Sequence, residues 1–175
     1  MSSTYNQKEP SMAITTKLSE ISFGTNISNI EVPAHLNRTC ETGVNFIDSA
    51  MGGQGFTPSS VTLFTGEPGA GKTTMVLTVA SEVAKRKDAM CVFNTAEESL
   101  FQIKKTVNRL KLRGDFACGN LSNVDEVIEG CKQMMELNPN KQMFLVIDSL
   151  QQMNATHDRY GTGYRSDSLV LEKIL

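Results

Sequence analysis

The sequence predicts an α/β protein, a doubly wound and mostly parallel sheet with helices on both faces. Three observations carry that expectation. Short apolar runs alternate with segments whose apolar residues recur at helical spacing, from Ser60 to Ile147. The last run, Met143-Phe-Leu-Val-Ile147, is continuously apolar, as a parallel strand covered on both faces requires. A glycine-rich turn joins the first run to the first helical pattern, the connection that opens a strand-to-helix unit.

Taken in order, residues 1–37 are polar and rich in Ser, Thr and Asn, and read as a tail or adaptor with one short strand near Ile27 to Val32. The core is expected over 38–175. Gly52, Gly53, Gly55 and Pro58 punctuate its entry around Phe46, Ile47 and Met51. Ser60-Val-Thr-Leu-Phe-Thr65 is a β-branched strand. Met75, Val76, Val79, Ala80, Val83 and Ala84 then lay an apolar stripe along a helix. Met90 to Asn94 is the next strand, and Leu100, Ile103, Val107 and Leu110 mark a second helix that closes near Gly114. Phe116 to Cys118 is a weak third strand. Ser122 and Asp125 have the spacing of a capping box, opening a helix through Val127, Ile128, Cys131, Met134 and Met135.

The composition excludes several classes. Of 175 residues 39% are hydrophobic and 21% charged, so the chain is globular rather than disordered. With 17 basic and 19 acidic side chains the net charge is −2, and binding to nucleic acid through bulk positive charge is excluded. No apolar run approaches the ~18 residues of a membrane span, and the N-terminus has no signal pattern. A cytoplasmic protein is expected. Cys40, Cys91, Cys118 and Cys131 form no CxxC, so they are expected to be reduced and part of the packing.

The chemistry is concentrated in Gly66-Glu67-Pro68-Gly69-Ala70-Gly71-Lys72-Thr73, a complete GxxxxGK[ST], with Thr74 following. A phosphate needs backbone N–H groups turned toward it, and glycine at 66, 69 and 71 gives the loop that freedom. The helix starting near Lys72 adds its N-terminal partial positive charge. Lys72 would neutralise the outer phosphates of ATP, and the Thr73 hydroxyl would hold magnesium. Asp148 ends the Phe144 to Ile147 run, at the strand end where open sheets bind ligands, and suits a second magnesium anchor acting through water. Ser149 either holds the attacking water or senses the γ-phosphate, with a plain turn hydroxyl the competing reading. Glu97 and Glu98 follow the Met90 to Asn94 strand. One of them, with Glu97 preferred, would orient and deprotonate the lytic water, and the other would cap the next helix.

Lys104, Lys105, Arg109, Lys111 and Arg113 make the second helix basic, the ordinary character of a solvated face. The segment 156–166 joins Arg159, Tyr160, Tyr164 and Arg165 with two glycines, the parts that grip single-stranded nucleic acid; a plain surface loop, including His157, is the competing reading.

In this order the segments resemble the RecA-like P-loop ATPases, and most closely the RadA/Sms branch of bacterial DNA-repair proteins. The similarity rests on the P-loop, on Asn94-Thr-Ala-Glu-Glu-Ser99 and on Leu145-Val-Ile-Asp-Ser-Leu-Gln151. The resemblance implies ATP hydrolysis with magnesium in a homo-oligomeric ring or filament that acts on single-stranded DNA in recombination and repair. A KaiC-like nucleotide-dependent switch that does not touch DNA, and a DnaB-like replicative helicase, are the alternatives within the superfamily. The branch's four-cysteine zinc ribbon, its Lys-Asn-Arg-Phe-Gly signature and its C-terminal protease-like domain have no counterpart in these 175 residues. Four strands are read here, against about five to six in an average sheet. With Glu172-Lys-Ile-Leu175 inside a helical pattern, the core is expected to be C-terminally incomplete.

Overall fold

A computed structural model describes residues 23–155 and 170–174. The chain divides into two compact units, Met1–Pro33 and Ala34–Leu175. In the first, the expected strand near Ile27 to Val32 is replaced by a 3-10 turn, Ile27–Asn29. Asn26 precedes it and accepts the Ser28 N–H on its side chain at 2.9 Å. That local bond competes with extended structure, which explains why β-branched content alone misleads.

The second unit holds a three-stranded parallel sheet: β1 (Ala89–Thr95) lies between β2 (Ala117–Gly119) and β3 (Gln142–Asp148). Among the described residues it is accompanied by helices α1 (Asn45–Ala50), α2 (Lys72–Val83), α3 (Leu100–Arg109) and α4 (Val124–Leu137), and residues 170–174 are also helical. The period of two along β1 divides the core. Cys91 and Phe93 join Leu77, Val79, Ala80 and Val83 of α2 with Ile103 of α3. Val92 joins Val124, Val127 and Cys131 of α4 with Met153 and Val170. Helices therefore cover both faces, and the doubly wound α/β reading holds.

Two local expectations in this unit need correction. Ser60 to Thr65 forms no strand, and the described sheet contains only β1, β2 and β3. Val61 and Leu63 are 44% and 64% exposed. Pro58 and Ser59 (φ 57°) bend the chain just before this segment. Propensity supplied the residues of a strand but no ladder to hold them. The cap of α4 is not Ser122 but Asn123, whose side chain accepts the Asp125 and Glu126 N–H groups at 2.9 and 3.3 Å. A genuine capping box stands at α3, where Ser99 and Gln102 exchange bonds, Ser99 N–H to Gln102 Oε1 at 3.0 Å and Gln102 N–H to Ser99 Oγ at 3.3 Å.

The entry segment is held by one carboxylate. Asp48 of α1 accepts the Thr42 N–H and hydroxyl, both at 2.8 Å, and the Gly43 N–H at 2.9 Å. Cys40 and Phe56 pair as an isolated antiparallel bridge, and Gly55 packs so closely that a Cβ would fall 2.2 Å from the Cys40 carbonyl oxygen. Phe56 in turn meets Phe144 of β3 edge to face, centroids 5.2 Å apart. Cys40, Cys91 and Cys131 are buried free thiols and Cys118 is exposed, so only the first three match the expected packing role. No helix among the described residues is long and apolar enough to cross a membrane.

Candidate nucleotide-binding site

The loop Gly66 to Gly71 leads straight into α2, and the motif's last two residues are the helix's first. Gly71 is the N-cap in the left-handed conformation (φ 88°), and Gly69 has φ 79°. A side chain at either would strain the backbone. Gly66 is not in that region, so of the three glycines only two use their conformational freedom here. Within the loop the Ala70 N–H donates to the Glu67 carbonyl at 3.1 Å, closing a turn over Pro68 and Gly69.

Helix α2 has no side-chain cap and no acidic residue in its first turn, whereas α3 and α4 are capped by Ser99 and Asn123. Its first N–H groups thus face outward with the positive end of the helix dipole, an arrangement that accepts an anion. Lys72 Nζ lies against the loop, donating to the carbonyls of Gly66 at 2.8 Å and Glu67 at 3.1 Å. The loop is wrapped around an ammonium group, and Gly69 and Gly71 have open space where a Cβ would stand. These residues fit a phosphate chain.

On the next helical residue the Thr73 hydroxyl donates to Asp148 Oδ2 at 2.7 Å, joining positions 75 residues apart. A hydroxyl and a carboxylate in contact form an oxygen-donor pair of the kind magnesium takes. Thr74 lies on the following helical position, and its carbonyl accepts the Thr78 hydroxyl at 2.9 Å.

The glutamates reach the same place through the sheet. Thr95, the last residue of β1, is in register with Asp148, the last of β3. The Ala96 N–H then donates to the Asp148 carbonyl at 2.9 Å, so the chain enters the Glu97-Glu98 turn directly beside Asp148. Glu97 is exposed and Glu98 half-buried. Glu98 does not cap α3, a role taken by Ser99; its backbone N–H instead donates to Thr95 Oγ1 at 3.0 Å. Ser149, joined to Asp148 by a cis peptide bond, precedes the 3-10 turn Leu150–Gln152 without capping it by its side chain.

Three polar side chains at this end of the sheet were not singled out from the sequence: Asn94, Thr95 and Asn120. Asn94 and Thr95 are buried and hydrogen-bonded, and only the odd presence of Asn94-Thr95 at the end of an apolar strand signals them. The expected DNA-contacting residues Arg159, Tyr160, Tyr164 and Arg165, with His157, lie outside the described residues. Lys104, Lys105, Arg109, Lys111 and Arg113 are all exposed, as a solvated face would have them.

Comparison with known proteins agrees with this geometry. The family model described as "ATPase: KaiC" matches residues 40–117. The chain is 31% identical to the DNA repair protein RadA of Mycobacterium tuberculosis over 137 residues, 75% of this chain and 26% of that protein. It is 33% identical to RadA of Aquifex aeolicus over 146 residues, 83% of this chain and 28% of that protein. For RadA of Escherichia coli the figures are 36% over 115 residues, 65% of this chain and 23% of that protein. The chain thus spans about a quarter of the length of the curated relatives it matches. With a glycine-rich loop closed on its lysine, a threonine bonded to the strand-end aspartate and these relatives, the chain has the fold of the RecA-like P-loop ATPases and is similar to the KaiC-type ATPases and the bacterial RadA proteins.

Proposed function

We propose that the chain binds ATP with magnesium at Gly66 to Thr74, hydrolyses it, and couples hydrolysis to single-stranded DNA in a cytoplasmic homo-oligomer serving recombinational repair. The observation that carries the catalytic part is the 2.7 Å bond between Thr73 and Asp148. It joins the phosphate loop to the strand-end acid, and a turn bearing two glutamates starts beside it. Lys72 exchanges the Gly66 and Glu67 carbonyls for phosphate oxygens, so its ammonium keeps hydrogen-bond acceptors in place of the two it gives up. The first N–H groups of α2 receive the remaining phosphate charge. Thr73 and Asp148 hold the magnesium ion, Asp148 partly through water. When bound, magnesium neutralises charge developing between the outer phosphates. Glu97, with Glu98 as the alternative, orients the attacking water and takes its proton.

The DNA part rests on the RadA relatives and on the Arg-Tyr composition of 156–166. A second reading is favoured by the KaiC-type match: a nucleotide-dependent oligomeric switch that does not contact DNA. Turnover measured with and without single-stranded oligonucleotide, over a series of salt concentrations, separates the two. Stimulation that falls with salt supports the DNA reading. Stimulation absent at every salt concentration supports the switch. Lys72→Ala should lower turnover by about 100-fold or more, as expected for loss of a charge that stabilises the transition state; turnover at the parent level would overturn the nucleotide assignment itself.

A further inference from the structure

The turn that carries Glu97 and Glu98 is gripped by side chains to which none of the motifs above assigns a role. Thr95 is 1% exposed, and its hydroxyl donates to the Glu98 carbonyl at 2.9 Å while accepting the Glu98 N–H at 3.0 Å. Asn120, one residue beyond β2, donates its side-chain amide to the Thr95 carbonyl at 2.9 Å and to the Glu98 carbonyl at 3.3 Å. In the other direction Asn94 spans the Leu121 backbone, donating to its carbonyl at 2.8 Å and accepting its N–H at 3.0 Å. The two turns therefore hold each other by reciprocal side-chain-to-backbone bonds.

The far side of this clasp is anchored as well. The Asn154 N–H donates to the Ser122 carbonyl at 2.7 Å, and the Val124 N–H to the Asn154 carbonyl at 2.9 Å. A Cβ at Gly119 would lie 2.7 Å from Asn94 Oδ1, so the end of β2 packs directly on the asparagine that holds Leu121.

We infer that Asn120, acting with Thr95, is a positioning residue that fixes the Ala96 to Glu98 turn and thereby the direction of the catalytic glutamate; this rests on the reading of Glu97 or Glu98 as the base. Asn120 is exposed, so water could satisfy its amide, and nothing in its own solvation requires two carbonyl partners. What the two bonds accomplish is to pin both ends of a four-residue turn. A base must lie within hydrogen-bond reach of the proton it takes, and about 1 Å of misplacement costs roughly 100-fold in rate. Because the bonds reach the backbone, they act on whichever glutamate is the base.

The test compares Asn120→Ala and Asn120→Asp with Glu97→Gln and Glu98→Gln. The readouts are kcat, KM, affinity for a non-hydrolysable ATP analogue, and deuterium exchange at the Glu98 amide. Both Asn120 variants should lower kcat about 10- to 100-fold, leave analogue affinity within about twofold and speed Glu98 exchange. Asn120→Asp should be the worse, since its carboxylate faces two carbonyls with no proton to donate. Thr95→Ser, which keeps the hydroxyl, should retain parent kcat where Thr95→Val follows Asn120→Ala; this pair serves as well if an Asn120 variant does not fold. Parent kcat in Asn120→Ala, alongside an inactive Glu97→Gln or Glu98→Gln, overturns the positioning role alone. Full turnover in both glutamate variants removes the base assignment beneath it.

Discussion

Replacing Gly114 with Ala tests how closely α2 and the chain leaving α3 are packed. A Cβ at 114 would lie 1.8 Å from the Ser81 carbonyl oxygen, 2.5 Å from its carbon and 2.6 Å from its Cα. Ordinary carbon–oxygen contact begins at about 3.3 Å, so the deficit is about 1.5 Å. The obstacle is backbone in the interior of a helix, and no rotamer relieves it. Overpacking of this kind costs about 1–3 kcal/mol. The displacement also breaks the 2.8 Å bond from the Gly114 N–H to Ser81 Oγ, stranding a donor at a further cost of about 1–3 kcal/mol. Together they predict a loss of about 2–6 kcal/mol, a large part of a domain's typical 5–15. Ser81→Ala removes only the hydrogen bond and should lose about 1–3 kcal/mol. Urea unfolding followed by circular dichroism measures both. Ser81 stands nine residues along α2 from Lys72, about 14 Å at 1.5 Å per residue, so nucleotide affinity of the folded fraction should change less than stability does. A Gly114→Ala protein within 1 kcal/mol of the parent would refute the close-contact argument.

Two further outcomes follow from single side chains. Burial pushes the Cys91 thiol from 9.0 up to about 12. The folded chain therefore keeps a proton that the unfolded chain releases, and the stability is full below pH 9 and lost as pH rises toward 12. Three pH units at 1.36 kcal/mol each amount to about 4 kcal/mol over that window. Between pH 8 and pH 10 the urea midpoint should fall further in the parent than in Cys91→Ala; equal falls would refute it. Asp148→Asn keeps an oxygen for the Thr73 hydroxyl but removes the charge, so folding should stay within about 1 kcal/mol while the dependence of ATP binding on magnesium weakens. Nucleotide titrations with and without magnesium check it, and an unchanged metal dependence would dismiss Asp148 as an anchor.

What the sequence disclosed divides along the range of the forces involved. The phosphate loop was legible because its requirements are local: Gly69 and Gly71 sit at positive φ, and Lys72 and Thr73 follow at fixed spacing. The helix α2 and the strands β1 and β3 were legible because each buries a periodic or continuous apolar surface in one of two clusters. Ser60 to Thr65 has the same residue types yet no ladder, since a strand depends on a neighbour that its own sequence does not specify. The α4 cap was misread by one residue for a similar reason: Ser122, Asn123 and Asp125 all carry capping chemistry, and the Ser122 and Asn154 backbones pair before the helix begins. Asn120 was invisible because its partners, Thr95 and Glu98, are 25 and 22 residues away.

The meeting of Thr73, Asp148 and the glutamate turn follows from topology plus one number that no motif contains. Parallel pairing sends the carboxyl ends of β1 and β3 to the same side, so an acid after each strand must emerge on one edge of the sheet. Direction alone would leave them at different heights. The register Thr95 to Asp148 aligns them, and the Ala96 to Asp148 backbone bond extends the alignment one residue into the turn. A slip of one residue would reverse which face each β3 side chain meets, moving Val146 out of the cluster it shares with α2 and Asp148 away from Thr73. The apolar packing of β3 and the oxygen pair at its end thus select the same register. That is why the site's geometry is as well determined as the core: the hydrophobic residues that fix β3 between its two layers also set the height at which Asp148 meets the phosphate loop.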